Sequence, residues 1–205
     1  MSRIVFILGD SGSGKSTSLR NLKVDDVSVI SVTGKELPFK TDIVGFHAKS
    51  YGEVITKIGD ATKPIVVIDD ANYLMSNFEF DTINESGYGK FARNALGMVT
   101  VFKTIIDKPT DQTFYIMAHT EQTEDGHLAF KTTGKMVSEK YNPAGITNIV
   151  MEAAYDAQSD SFVFRTKADG RGIKTPMGMF TDATIENDLK AVNDKIVAYY
   201  QVATK

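Results

Sequence analysis

The residues best suited to chemistry stand near the start of the chain, in the run GDSGSGKST, Gly9 to Thr17. Its spacing satisfies G-x-x-x-x-G-K-[ST], the pattern of a loop that wraps phosphate groups. Gly9, Gly12 and Gly14 allow backbone conformations that a side chain would forbid, so successive N–H groups can turn inward on phosphate oxygens. Lys15 is expected to reach the β- and γ-phosphates, and the Ser16 hydroxyl to ligate Mg²⁺. The N-terminus of a following helix would add partial positive charge. The full run, Gly9, Asp10, Ser11, Gly12, Ser13, Gly14, Lys15, Ser16 and Thr17, is assigned to nucleotide binding. No Asn-Lys-x-Asp segment of the guanine-reading kind occurs, so ATP is the default nucleotide and GTP stays open.

A second chemical signal is PIVVIDD, Pro64 to Asp70, an apolar run ending in two carboxylates. Beside a phosphate loop, Asp69 is expected to hold a water of the Mg²⁺ shell. Asp70 stands where many ATPases carry a glutamate that orients the attacking water, which makes it the candidate general base; a solvated turn acid is the alternative. His119 follows the run TFYIMA and should emerge at the same sheet edge. It is read either as a sensor of the γ-phosphate or as a structural residue. His119 and His127 make a poor zinc pair without cysteine or tight spacing.

Strands and helices must position these groups. Short apolar, β-branched runs alternate with stretches long enough for helices, the pattern of an α/β protein with a mostly parallel sheet. Strands are expected at Ile4 to Leu8, Val27 to Val32, Ile65 to Asp69, Thr113 to Ala118, Thr147 to Ala153 and Ser161 to Thr166. Helices are expected from Lys15 to Leu22, Tyr51 to Ile58, Tyr88 to Ile106 and Ala183 to Tyr200, the last capped by Asp182. In that helix Ile185, Leu189, Val192, Ile196 and Tyr199 would form one apolar face. The polar stretch Ser76 to Lys90 reads as a mobile loop, and Glu121 to Asn142 as an irregular region holding a small hairpin.

The 205 residues suit one domain able to bury a continuous core. With 42% hydrophobic and 24% charged residues the chain is neither disordered nor fibrous. It contains no cysteine, which excludes disulfides and thiol chemistry and fits a reducing, cytoplasmic compartment. The apolar run after Met1 is too short for a membrane span and leads into a loop motif, so neither export nor membrane insertion is expected. A net charge of −3 gives no broad attraction to nucleic acid.

The segments GDSGSGKSTSLRNL, VISVTGKELPF, VVIDDANYLM, GYGKFARNALGMV, FYIMAHTE, KTTGKMVSEK and FRTKADGRGIKTPMGMF together resemble the AAA-type or RecA-core ATP-binding proteins of bacteriophages. Those proteins are associated with replication and single-strand-annealing recombination. The resemblance implies a three-layer P-loop NTPase with a RecA-like sheet, in which a sensor strand ending at His119 separates the strand of PIVVIDD from the strand before the phosphate loop. It implies a homo-oligomer, ring or filament, with single-stranded DNA as a candidate partner. It also implies a basic pair on a late strand, here Arg165 and Lys167, reaching the γ-phosphate held by a neighbouring subunit. Arg171 and Lys174 are alternative fingers or DNA-backbone contacts. One departure stands out: the catalytic glutamate usual after the second strand is missing, since VISVTGKELPF offers no acid before Glu36.

Three functions follow as expectations. The first is an Mg²⁺-dependent ATPase, with Lys15, Asp70, His119, Arg165 and Lys167 as its chemical residues. The second is a nucleotide-dependent interaction module with little hydrolysis. A small-molecule or nucleotide kinase is the third, though its usual arginine-rich lid is not evident in five scattered arginines.

Overall fold

A computed structural model describes residues 2–123, 126–167 and 172–202. Its centre is an eight-stranded sheet built from β1 (Arg3–Leu8), β2 (Val27–Ser31), β3 (Phe46–His47), β4 (Ile65–Asp69), β5 (Thr113–Ala118), β8 (Ile149–Asp156), β9 (Ser161–Arg165) and β10 (Thr184–Glu186). The strand order is β10-β9-β8-β1-β5-β4-β2-β3. From β3 across to β8 all neighbours pair in parallel, whereas β9 and β10 add antiparallel pairings at one end. Strands β6 (Thr120–Gln122) and β7 (Leu128–Phe130) form a separate antiparallel hairpin, within the region expected to hold one.

Burial explains why the central strands read as unbroken apolar runs. Every residue of β4 and β5 is buried, as parallel strands covered on both faces must be. In β1 the side chains of Ile4, Phe6 and Leu8 enter one core and those of Val5 and Ile7 the other, following the two-residue alternation of a strand. The first core packs under α1 (Tyr51–Asp60), α2 (Tyr73–Asp81), α3 (Gly89–Asp107) and α4 (Lys135–Lys140). The second lies under Leu19, Leu22 and the Leu189, Val192 and Ile196 stripe of α5 (Leu189–Val202). Helix, sheet and helix thus stack in three layers.

Strand β5 lies between β1 and β4 and ends immediately before His119, which matches the expected separation. Because these strands are parallel, the segments following β1, β2, β4 and β5 leave the sheet at one carboxyl edge. The antiparallel turn between β8 and β9 opens at that edge as well.

Four expectations need correction. The segment after the glycine loop is not an α-helix from Lys15 to Leu22 but a 3-10 helix, Ser16–Asn21. Three consecutive hydroxyl residues explain this, since such side chains compete for the backbone; Ser18 Oγ donates to the Lys15 carbonyl at 2.6 Å. The expected helix from Ala183 begins instead with β10, which places Ile185 on a strand, and α5 starts only at Leu189. Its first-turn N–H groups at Lys190 and Ala191 donate to Asp188 Oδ1 at 2.8 and 3.3 Å, so Asp188 and not Asp182 does the capping. The expected loop Ser76 to Lys90 is shorter than predicted, because its start through Asp81 belongs to α2 and its last two residues to α3; α2 is anchored by buried Leu74 and Met75, and Phe78 packs on the Tyr51 ring. Finally, six strands were too few, because two- and three-residue edge strands have no periodicity to read.

Candidate functional site

The loop from Gly9 to Thr17 leaves β1 at the carboxyl edge and is held there from two sides. The Gly9 N–H donates to the Ala118 carbonyl of β5 at 3.2 Å. Gly14 adopts φ 91°, a region L side chains avoid, and a Cβ there would lie 2.7 Å from the Phe162 ring of β9. Glycine is therefore required at position 14 both by backbone conformation and by close approach.

Within the loop, Lys15 is buried and its Nζ donates to the carbonyls of Gly9 and Asp10 at 2.7 and 2.8 Å. Burial draws the ammonium below its usual pKa, against the pull of Asp70, Asp69 and Asp10. Ser16 Oγ donates to Asp69 Oδ2 at 2.8 Å, whereas Asp69 Oδ1 is buried with no hydrogen-bond partner among the described residues. Burial, and then the neighbouring Asp70, push the Asp69 carboxyl above the usual range, with Ser16 and Lys15 opposing. Asp10 Oδ1 accepts from Thr120 Oγ1 at 2.6 Å, which joins the loop to the start of β6.

Asp70 sits in a left-handed conformation, φ 58°, which Asp tolerates better than most residues. Its Oδ2 accepts from Thr33 Oγ1 at 3.0 Å and lies 3.3 Å from Lys35 Nζ, both from the segment after β2. Its Oδ1 faces His119 Nε2 at 3.5 Å, an electrostatic contact too long for a good hydrogen bond. The His119 backbone N–H donates to Asn72 Oδ1 at 3.0 Å, and its ring meets Tyr73 edge to face at 5.6 Å. Burial and then the Lys15 charge hold its pKa below the ordinary histidine value against the pull of Asp70, a shift that favours the neutral imidazole.

Lys15, Lys35, Asp69, Asp70, His119 and Phe162 thus face a cleft of about 270 Å³ above the loop. Of the expected chemical residues, Lys15, Ser16, Asp69, Asp70 and His119 converge here. Arg165 does not line this cleft; its guanidinium donates to Glu152 Oε2 on β8 at 2.9 Å. Lys167 is exposed just beyond β9, and Arg171 lies outside the described residues. Lys174 exchanges backbone hydrogen bonds with Val150 at 2.8 and 2.9 Å. Thr33, Lys35, Asn72 and Phe162 escaped sequence reasoning, since none belongs to a spaced motif; a threonine or lysine after a strand carries no signal until the fold brings it to Asp70.

Among the described residues no group of three or more His, Asp or Glu side chains is placed to hold a metal ion by itself. No helix among them is long and apolar enough to cross a membrane. In comparison with known proteins, no family model matches the chain and no curated protein matches it either.

Proposed function

We propose that this chain is a P-loop nucleotide-binding protein that holds Mg²⁺–ATP on the loop from Gly9 to Thr17 and hydrolyses it. One observation carries the reading: buried Lys15 and the Ser16–Asp69 pair meet at the mouth of one glycine-rich loop, beside a carboxylate oxygen that lacks a partner. A buried, half-satisfied carboxylate destabilises a fold, so its placement beside a hydroxyl and an ammonium calls for a ligand. The donor set fits Mg²⁺, which takes few protein oxygens and fills its shell with water and phosphate. When bound there, the ion would neutralise charge on the β- and γ-phosphate oxygens.

The chain's own residues then have separable tasks. Lys15 exchanges the Gly9 and Asp10 carbonyls for phosphate oxygens. The loop N–H groups fix the triphosphate, with little help from a dipole, because the 3-10 helix is only six residues long. Asp70 is positioned by Thr33 and Lys35 to accept the proton of an attacking water as the water oxygen bonds to phosphorus and the β–γ bridge breaks. Asp70 stands in for the missing glutamate after β2, at the place where the β2 segment itself supplies Thr33 and Lys35. Neutral His119 donates or accepts at the γ-phosphate without adding charge.

The resemblance to phage RecA-core proteins extends this reading to replication or recombination, with assembly into a ring or filament on single-stranded DNA and Arg165 or Lys167 acting on a neighbour's nucleotide. A second reading, an interaction module with little hydrolysis, is favoured by Asp70 being engaged on both oxygens. The deciding experiment is calorimetric titration with Mg²⁺–ATP together with phosphate-release assays, on the natural protein and Lys15→Ala. We expect binding and turnover in the natural protein and affinity about 10- to 100-fold weaker in the variant, the worth of one charge-assisted contact. Equal affinity in both proteins rejects the proposal; binding without turnover selects the second reading.

A further inference from the structure

A larger cavity, about 610 Å³, opens beside the phosphate cleft on the β8–β9–β10 side of the sheet. The two spaces share Thr17 and Phe162, so they adjoin where the glycine loop ends. We propose that this cavity seats the base and ribose of the nucleotide whose phosphates the loop holds. The inference rests on the nucleotide-binding reading above and names where the rest of that ligand goes.

Direction along the loop is the first argument. Lys15 and Asp69 mark the end of the cleft that takes the terminal phosphates, and Thr17 lies beyond Ser16 at the other end. A third cavity, about 340 Å³, shares Lys35, Glu36 and Asp69 with the phosphate cleft and therefore adjoins the terminal-phosphate end. A nucleoside attached at the opposite end of the triphosphate suits the Thr17 side.

Chemistry is the second. Phe162 and Ile185, on one face of the β9–β10 pair, supply an apolar wall on which a flat base can stack, with Asp156 and Glu186 at the polar rim. The cation among the described lining residues is Arg20, and it is committed: its guanidinium donates to Glu186 Oε1 at 2.9 Å and to the Asn187 carbonyl. Arg20 and Glu186 cancel each other, and Asp156 leaves these groups with a net negative charge that repels a further phosphate. They suit the uncharged, donor-rich end of a nucleotide, whose ribose hydroxyls and exocyclic amine need acceptors.

Preorganisation is the third. The Phe162 ring is fixed between Gly14 and the Tyr155 ring, which meets it edge to face at 5.7 Å. Across the cavity, Arg20 ties the 3-10 helix to Glu186 of β10, and Asn21 Nδ2 donates to Asp188 Oδ2 at 2.8 Å. Both walls are braced before any ligand arrives, and the volume falls in the ordinary range of small-molecule sites.

The test compares Mg²⁺–ATP with Mg²⁺–tripolyphosphate, which offers phosphates and no nucleoside, by calorimetry on the natural protein, Lys15→Ala, Ser161→Trp and Thr184→Trp. Ser161 and Thr184 are exposed lining residues at the rim, so an indole at either position narrows the mouth without disturbing the core. We expect ATP to bind the natural protein about tenfold or more tightly than tripolyphosphate, the worth of one base–aromatic stack. Each tryptophan variant should reduce ATP to the tripolyphosphate level and leave tripolyphosphate unchanged, whereas Lys15→Ala weakens both. Unaltered ATP affinity in the tryptophan variants overturns the seat while the nucleotide reading survives. If neither ligand binds the natural protein, both proposals fall. Should the variants misfold, photolysis of azido-adenine ATP on the natural protein decides: labelling within 156–163 or 184–186 supports the seat, and labelling within 33–45 overturns it.

Discussion

Asp69 illustrates how a site can be recognised by what it costs. The buried carboxyl has one oxygen satisfied by Ser16 and one without a partner among the described residues, and its pKa in the folded chain lies above the ordinary 3.8. Above that folded value the native state holds an anion it disfavours. The group's contribution to stability therefore falls as pH rises from 3.8 towards the raised value and stays low beyond it. Asp69→Asn removes the charge and keeps an acceptor for Ser16. We expect its melting temperature without ligand to exceed that of the natural protein at pH 7 by about 2–4 °C, the yield of roughly 1 kcal/mol in a chain of this size. The gain should fade as pH drops through the raised value to below 3.8, where the carboxyl is protonated in both the folded and the unfolded chain, and Mg²⁺-dependent ATP binding should be lost. A variant less stable at pH 7 would contradict the account. Lys15, Ser16 and Asp69 were legible in the sequence because their chemistry is written into local spacing. Lys35 and Thr33 were not, because their role depends on the β2 segment arriving beside β4.

At the scale of elements, what could be read was what repeats. Helices α1 and α3 carry long apolar stripes, and β1, β4 and β5 are unbroken apolar runs. The three-residue β10 and the six-residue 3-10 helix offered nothing periodic, and both were misassigned. The start of α5 shows the physical reason: Thr184 and Ile185 are β-branched and find an edge of the sheet to extend, while Asp188 offers the better cap. Asp188 Oδ1 accepts the first-turn N–H groups of α5 and its Oδ2 accepts from Asn21. Asp188→Ala should lower stability by about 1 kcal/mol, or about 2–4 °C in melting temperature, with Asp188→Asn close to the natural protein. Thermal denaturation of the two variants side by side checks this; an alanine variant as stable as the asparagine one would show that the Asp188 side chain contributes nothing as a cap.

For the whole molecule, the three layers and the placing of β5 between β1 and β4 followed from alternation and from the resemblance, and β9 was expected as a strand, whereas its antiparallel pairing and the whole of β10 could not be read. Their addition bears on the proposed assembly, because Arg165 on β9 is held by Glu152 of its own chain. If it serves a neighbour's nucleotide, turnover per subunit should climb with protein concentration, and Arg165→Ala should flatten the curve without weakening ATP binding. Turnover independent of concentration would leave Arg165 as a brace between β8 and β9. The support that Phe162 gives to Gly14 has a further consequence, in time. The glycine loop precedes β5, β8 and β9 in the sequence and so is made before them, and β1, the strand it leaves, lies in the middle of the sheet. Its flanking strands β5 and β8, and the aromatic prop on β9, are made much later. A nascent chain therefore displays the complete glycine motif before its flanking strands and its prop exist, and the proposed nucleotide site is complete only once β8 and β9 have joined the sheet.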